Sequence, residues 1–121
     1  LSGSIPSEID NLSNLSNIRL YSNQLSGEIP PEIGNLSNLC CLFLNYNQLS
    51  GEIPSEIGNL NNLGELFLSD NALSGLVPES ICNLNLGFNL GEINLSNNQL
   101  CPPYPSCTEN IMGEQDTSNC D

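Results

Sequence analysis

The side chains with chemistry to offer are cysteines and carboxylates, because histidine is absent and Arg19 is the only basic residue. Without histidine there is no His-based triad, no imidazole base and no common zinc or iron ligand set. Among the acids, Glu65 and Glu92 hold equal places in two similar segments, LGELFLSDN and LGEINLSNN, and Asp70 lies near the end of the first. Two carboxylates at that separation could act as a glycosidase pair or as calcium ligands. Both uses are disfavoured: no deep apolar pocket is implied around them, and too few oxygens converge to hold a cation. No catalytic site, metal or cofactor is therefore expected.

Cys82, Cys101, Cys107 and Cys120 include no CxxC pair, which argues against a metal cluster and for structural disulfides in an oxidising, secreted or cell-surface setting. All four are expected to be oxidised. The bend Pro102-Pro103-Tyr104-Pro105 could join Cys101 to Cys107 and leave Cys82 for Cys120; the alternative joins Cys82 to Cys101 and Cys107 to Cys120.

Fourteen acidic residues against one basic give a net charge of −13. Nucleic acid and anionic membrane are excluded as partners, since neither is gripped without Lys or Arg. No run approaches the roughly 20 apolar residues of a membrane span, and no leader precedes Leu1, so any signal peptide is expected to lie outside this chain.

These side chains are positioned by a repeat. The triplet Leu-Ser-Gly begins at Leu1, Leu25, Leu49 and Leu73, a period of 24 residues three times over. Each triplet opens a similar phrase, such as SGEIPPEIGNLSNL and SGEIPSEIGNLNNL. Each unit then carries L-x-x-L-x-L-x-x-N-x-L: LSNIRLYSNQL, LCCLFLNYNQL, LGELFLSDNAL and LGEINLSNNQL, with Ile18 and Ile93 as apolar equivalents. The pattern resembles the leucine-rich-repeat superfamily. Its L-S-G-x-I-P phrase is similar to the plant-type subclass of receptor ectodomains and polygalacturonase-inhibiting proteins. The resemblance implies a curved solenoid, with a parallel sheet on the concave face and short helical or extended turns on the convex face. It divides the chain into four repeats over 1–100 (1–24, 25–48, 49–72, 73–100) and a segment, 101–121, that looks like the disulfide-bearing C-terminal cap of secreted members.

Strand alternation gives the same picture from physics: Leu42 and Leu44 turn inward, Phe43 outward, and Leu66-Phe67-Leu68 repeats this. Stacking should bury Leu39, Leu42, Leu44, Leu49, Ile53 and Ile57 against counterparts one coil away. Asn23, Asn47, Asn71 and Asn98 should satisfy backbone groups of the bend after each strand, while Pro6, Pro30, Pro54 and Pro78 hold the convex segment extended before its turn. The fourth repeat, Leu73 to Leu100, is three residues longer than the others, and its extra residues, within Asn85 to Asn89, should bulge on the convex side and help to seat the cap.

Outward strand positions make up the expected binding face: Asn17, Arg19, Tyr21; Cys41, Phe43, Asn45; Glu65, Phe67, Ser69; Glu92, Asn94, Ser96, with Asp70 at its edge. Adjacent aromatics beside an arginine have the composition of an interface hot spot. Cys40 shares its column with Ser16, Gly64 and Gly91 and reads as a small residue in a tight place; Cys41 should face solvent as an inert thiol or one that takes a partner. Like charges repeated at Glu8, Glu32, Glu56 and at Glu28, Glu52 read as a solvated convex face. Glycan acceptor sequons begin at Asn11, Asn14, Asn35 and Asn94. Sugars on the first three would leave the sheet free, whereas Asn94 would project from it.

Two readings follow. One is an extracellular, non-enzymatic recognition module for a protein, peptide or glycan, which the resemblance implies. The other is a self-assembling unit, because the first coil (Ile5, Ile9, Leu12, Leu15, Ile18, Leu20) should present an apolar edge that attracts cover. A homo-oligomer or filament through that edge would need a complementary surface at the cap, from Tyr104, Ile111 or Met112.

Overall fold

A strand with an apolar residue at every second place buries one face and offers the other, and a 24-residue repeat returns that face to the same side once per coil. The computed structural model, which describes residues 1–121, shows the result. Nine short strands run β1 (Ser2–Gly3), β2 (Asn17–Arg19), β3 (Gln24–Gly27), β4 (Cys41–Phe43), β5 (Gln48–Gly51), β6 (Glu65–Phe67), β7 (Ala72–Leu76), β8 (Ile93–Asn94) and β9 (Gln99–Cys101). They form two all-parallel sheets, β2-β4-β6-β8 on the concave face and β1-β3-β5-β7-β9 beside it. Short 3-10 turns at Ser7–Asn11, Pro31–Asn35, Ser55–Asn59 and Glu79–Asn83 line the convex face.

The two sheets differ in register. On the concave face Asn17 pairs with Cys41 and Cys41 with Glu65, so equal positions of successive repeats abut. In the second sheet Ser2 pairs with Gln24 and Ser26 with Gln48, two residues short of a full period. Equal positions therefore line up as neighbours on the concave face alone.

Between the sheets lies one cluster of 25 buried apolar residues, including Leu39, Leu42, Leu44, Leu49, Ile53 and Ile57. Each such side chain contributes about 1.5–3 kcal/mol when fully withdrawn from water, and a single coil cannot provide that shelter. The asparagines supply the polar counterpart. Asn71 Nδ2 donates to the carbonyls of Leu44 (3.0 Å) and Leu68 (3.1 Å), and its Oδ1 accepts from the Leu49 amide (3.0 Å). Asn47 and Asn98 repeat the pattern one coil to either side. The next rung is taken by Gln115: its Nε2 donates to Leu95 O (2.7 Å) and its Oε1 accepts from Leu100 N (3.0 Å).

Pro6, Pro30, Pro54 and Pro78 precede the convex turns in extended conformation, as at Pro54 with φ −67° and ψ 140°. Successive turns pack closely: a Cβ at Gly34 would lie 2.5 Å from the Glu56 carbonyl oxygen, and one at Gly58 2.5 Å from that of Ser80. The place of Gly34 and Gly58 is held in the fourth coil by Cys82, and here the side chain is a bridge to the cap. Disulfides join Cys82 to Cys107 and Cys101 to Cys120, so neither the pairing argued from the Pro-Pro-Tyr-Pro bend nor its alternative is the one formed, although all four cysteines are oxidised within the chain. The bend does not fold Cys101 back on Cys107 because Cys101 continues strand β9 and Cys107 sits in the separate turn Ser106–Thr108.

Two further expectations are corrected. The extra residues of the fourth repeat lie between its 3-10 turn and β8, on the flank leading into the concave sheet, with Leu86 and Phe88 packed back on the core. Ile111 and Met112 are buried, each 4% exposed, because the cap turns its apolar side onto the last coil; they offer no surface for assembly. At the other end Ile5 and Ile18 are already buried and Ile9, Leu15 and Leu20 half-buried, so the bare edge is reduced to Leu12, at 55% exposure, and Leu1. No helix is long and apolar enough to cross a membrane.

Candidate functional site

In-register pairing stacks one side chain from each strand into a column across the concave face: Arg19 beside Phe43, Phe43 beside Phe67, Phe67 beside Asn94. The Phe43 and Phe67 rings lie 5.1 Å apart and tilted at 39°. Tyr21 meets Phe43 edge-on at 6.4 Å. The Arg19 guanidinium sits 5.1 Å from the Phe43 ring centroid, within cation–π reach, and its Nε donates to Asn17 Oδ1 at 3.2 Å. The only basic side chain of a chain with net charge −13 thus lies on this face, held by an aromatic ring and an amide. Aromatic pairs of this kind contribute about 0.5–1.5 kcal/mol beyond their burial, which keeps the rings side by side.

The flanking column is Asn17, Cys41 and Glu65. Cys41 Sγ lies 2.7 Å from Cys40 Sγ and 3.6 Å from Glu65 Oε1. The hydrogen bond with Cys40, burial, and the nearby Glu65 carboxylate push the Cys41 thiol up to about 12. Both cysteines are half-buried, so Cys41 does not stand clear in solvent as its column suggested. Glu92 does not share a task with Glu65. Its carboxylate accepts from the Gly87 amide and closes the longer flank of the fourth repeat.

On the far side of the aromatic column the expected residues separate. Ser69, only 6% exposed, is buried and drops out of the accessible face. Asn45 is half-buried, and its Oδ1 is enclosed without a hydrogen-bond partner. Asp70 lies in the bend with φ 60°, the left-handed conformation shared by Ser22, Tyr46 and Asn97 at the same place. Short polar side chains adopt it readily; a tyrosine does so rarely. Tyr46, 56% exposed, is therefore an aromatic that the strand alternation missed, and its signal was a bulky ring in a column of Ser, Asp and Asn.

Asn94 is half-buried, and its Oδ1 accepts from the Ser96 amide (3.0 Å) and hydroxyl (2.6 Å). The other sequon asparagines, Asn11, Asn14 and Asn35, are exposed away from the concave sheet. The clefts of the molecule, the largest about 580 Å³, are lined by residues of other surfaces. The concave face is an open platform, suited to an extended ligand and not to an enclosed small molecule.

The Leucine Rich Repeat family matches residues 14–36, 38–60 and 62–84. No curated protein matches the chain. Solved structures do. The Arabidopsis receptor kinase HAESA, in complex with the peptide hormone IDA and the co-receptor SERK1, is 40% identical over 94% of this chain with a TM-score of 0.85. The BIR2 ectodomain of Arabidopsis thaliana is 34% identical over 95% with the same TM-score of 0.85. A plant ice-binding protein is 36% identical over 83%, with a TM-score of 0.75. The chain spans 19% of the HAESA chain, 62% of the BIR2 chain and 31% of the ice-binding one. Against the first four receptor structures it spans only 12–19% of their length. The matched repeats cover more than half of the sequence, and by them the chain belongs to the leucine-rich-repeat family.

Proposed function

We propose that the chain is an extracellular, non-enzymatic recognition module that takes an extended peptide, or an extended segment of a protein, across the concave face. One observation carries this reading: Phe43 and Phe67 stand side by side in one column, with Tyr21 edge-on to Phe43 from the next column and Arg19 over the Phe43 ring. Aromatics and arginine dominate interface energetics, and the half-buried Phe43 and Phe67 with exposed Arg19 and Tyr21 offer a continuous strip along which an extended chain can lie. The neighbours lend support, since HAESA is in complex with the peptide hormone IDA and the plant peptide hormone receptor RGFR1 is in complex with RGF2. A repeat fold alone would not suffice, because the same solenoid occurs in an ice-binding protein. Arg19, Tyr21, Phe43 and Phe67 form the centre of the proposed site, with Asn45, Asp70 and Tyr46 on one side and Cys41, Glu65 and Glu92 on the other. Asn94 closes the column.

Selection from a phage-displayed random peptide library tests the proposal. Enriched peptides should share a consensus and lose about 2 kcal/mol or more of binding to the F43A/F67A double variant, whose fold survives because both rings lie on the open face. Failure to enrich, or equal binding to wild type and double variant, would overturn the site. A glycan on Asn94 would cover the ring of Phe67, so the selection uses material shown by peptide mapping to be unmodified there.

A further inference from the structure

We propose that Cys40 and Cys41 are a redox site, a vicinal dithiol that an external disulfide converts into a cyclic disulfide at the edge of the concave face. This rests on the sulfur geometry and is independent of the peptide-binding reading. The two sulfurs already touch, Sγ to Sγ at 2.7 Å, and both are within reach of solvent as half-buried groups. The other four cysteines are paired with one another, so neither Cys40 nor Cys41 has a third thiol of this chain to join. An environment that oxidises those four also presents oxidant to these two.

The next coil does not crowd the pair. Cys40 occupies the column of Ser16 and Gly64, and a Cβ added at Gly64 would meet nothing nearer than the Cys40 carbonyl oxygen at 3.8 Å. The backbone is held here, with Cys40 N donating to Ser16 O (2.8 Å) and Cys40 O accepting from the Gly64 (2.7 Å) and Glu65 (3.2 Å) amides, so the remaining approach of the two sulfurs falls to their side chains.

The step balances by thiol–disulfide exchange. Cys40, as thiolate, attacks one sulfur of the external disulfide, forming a mixed disulfide and releasing one thiolate. Cys41 then loses its proton to solvent and attacks the Cys40 sulfur, forming the Sγ–Sγ bond and releasing the second thiolate. Two protein thiols are oxidised and one external disulfide is reduced to two thiols. The second attack is intramolecular, and the 2.7 Å separation of the sulfurs favours it over attack by an external thiol. Closure withdraws the Cys41 sulfur from Glu65 and removes a thiol from the rim of the aromatic column.

The test uses the full chain equilibrated with reduced and oxidised glutathione, quenched in acid, alkylated with N-ethylmaleimide and cleaved after glutamate. Cleavage at Glu32 and Glu52 releases one peptide, 33–52, holding these two cysteines and no others. That peptide should be lighter by two hydrogens than its reduced form and carry neither maleimide nor glutathione. Its Cys40→Ser counterpart should carry a single glutathione on Cys41. Peptide 33–52 recovered with two maleimides, with glutathione attached, or linked to another peptide, while the cap disulfides are intact, would overturn the proposal. The cap bridges in the same digest report that the chain is folded and the buffer oxidising.

Discussion

Cys41 holds its proton because its surroundings oppose a second negative charge. The hydrogen bond it shares with the Cys40 sulfur, burial, and the facing Glu65 carboxylate together raise the thiol from 9.0 to about 12. Cys40 is the largest of the three causes, so its removal should return Cys41 towards an ordinary thiol. Each pKa unit regained raises the thiolate fraction near neutral pH on the order of tenfold. Alkylation of Cys41 by iodoacetamide at pH 8 should therefore be faster in Cys40→Ala than in the reduced wild-type chain, and peptide mapping of residues 33–52 reads it directly. An equal or slower rate would show that burial, not the neighbouring sulfur, governs the group. From the sequence, the outward direction of Cys41, Phe43, Glu65 and Phe67 was legible, because alternation along a strand needs only the apolar pattern. What each side chain does once it points outward was not. Ser69 is covered, Glu92 turns to the Gly87 amide, and Cys41 meets Cys40, all through neighbours that a column of equal positions does not name.

The convex turns show how an element's spacing depends on what is missing from a side chain. Gly34 and Gly58 allow each 3-10 turn to lie against the next, and a methyl at Gly58 would sit 2.5 Å from a backbone oxygen that cannot swing aside. Gly64, in the approach to the concave sheet, has its nearest atom at 3.8 Å. Gly58→Ala should therefore destabilise the chain by about 1–3 kcal/mol, the usual cost of overpacking, while Gly64→Ala changes stability little. Urea unfolding followed by circular dichroism checks both, and equal midpoints for the two variants would show that the turns separate without cost. The same column accounts for the disulfide that the sequence left open. Repetition at 24 residues revealed the core, the asparagine rungs and the proline-led turns, since these recur in every coil. Cys82 replaces the glycine of that column in the last coil, where the cap supplies Cys107. A cap occurs once, so nothing in the chain repeats it, and Gln115 taking the place of a fifth asparagine is recognisable only from its hydrogen bonds.

At the scale of the molecule the stabilising interactions are distributed along the solenoid axis, and each coil touches only its neighbours. The second and third coils have a coil on either side, and their leucines are withdrawn from water: Leu42, Leu44, Leu66 and Leu68 are fully buried. The fourth is joined to the cap by Cys82–Cys107, with Cys101–Cys120 closing the cap itself, and buried Ile111 and Met112 cover its end. Within residues 1–121 the first coil meets one other coil, and Leu12 is 55% exposed. Amide hydrogen exchange on the 121-residue chain should reflect this order, with least protection in residues 1–24, more in the fourth coil and most in the two between. Reduction of the cap disulfides should then lower protection in the fourth coil before the second and third, because loss of such bridges costs about 2–5 kcal/mol and a linear array spends that loss locally. Uniform loss of protection along the whole chain on reduction would show instead that the four coils unfold as one unit, and that the cap holds the entire solenoid and not its last turn.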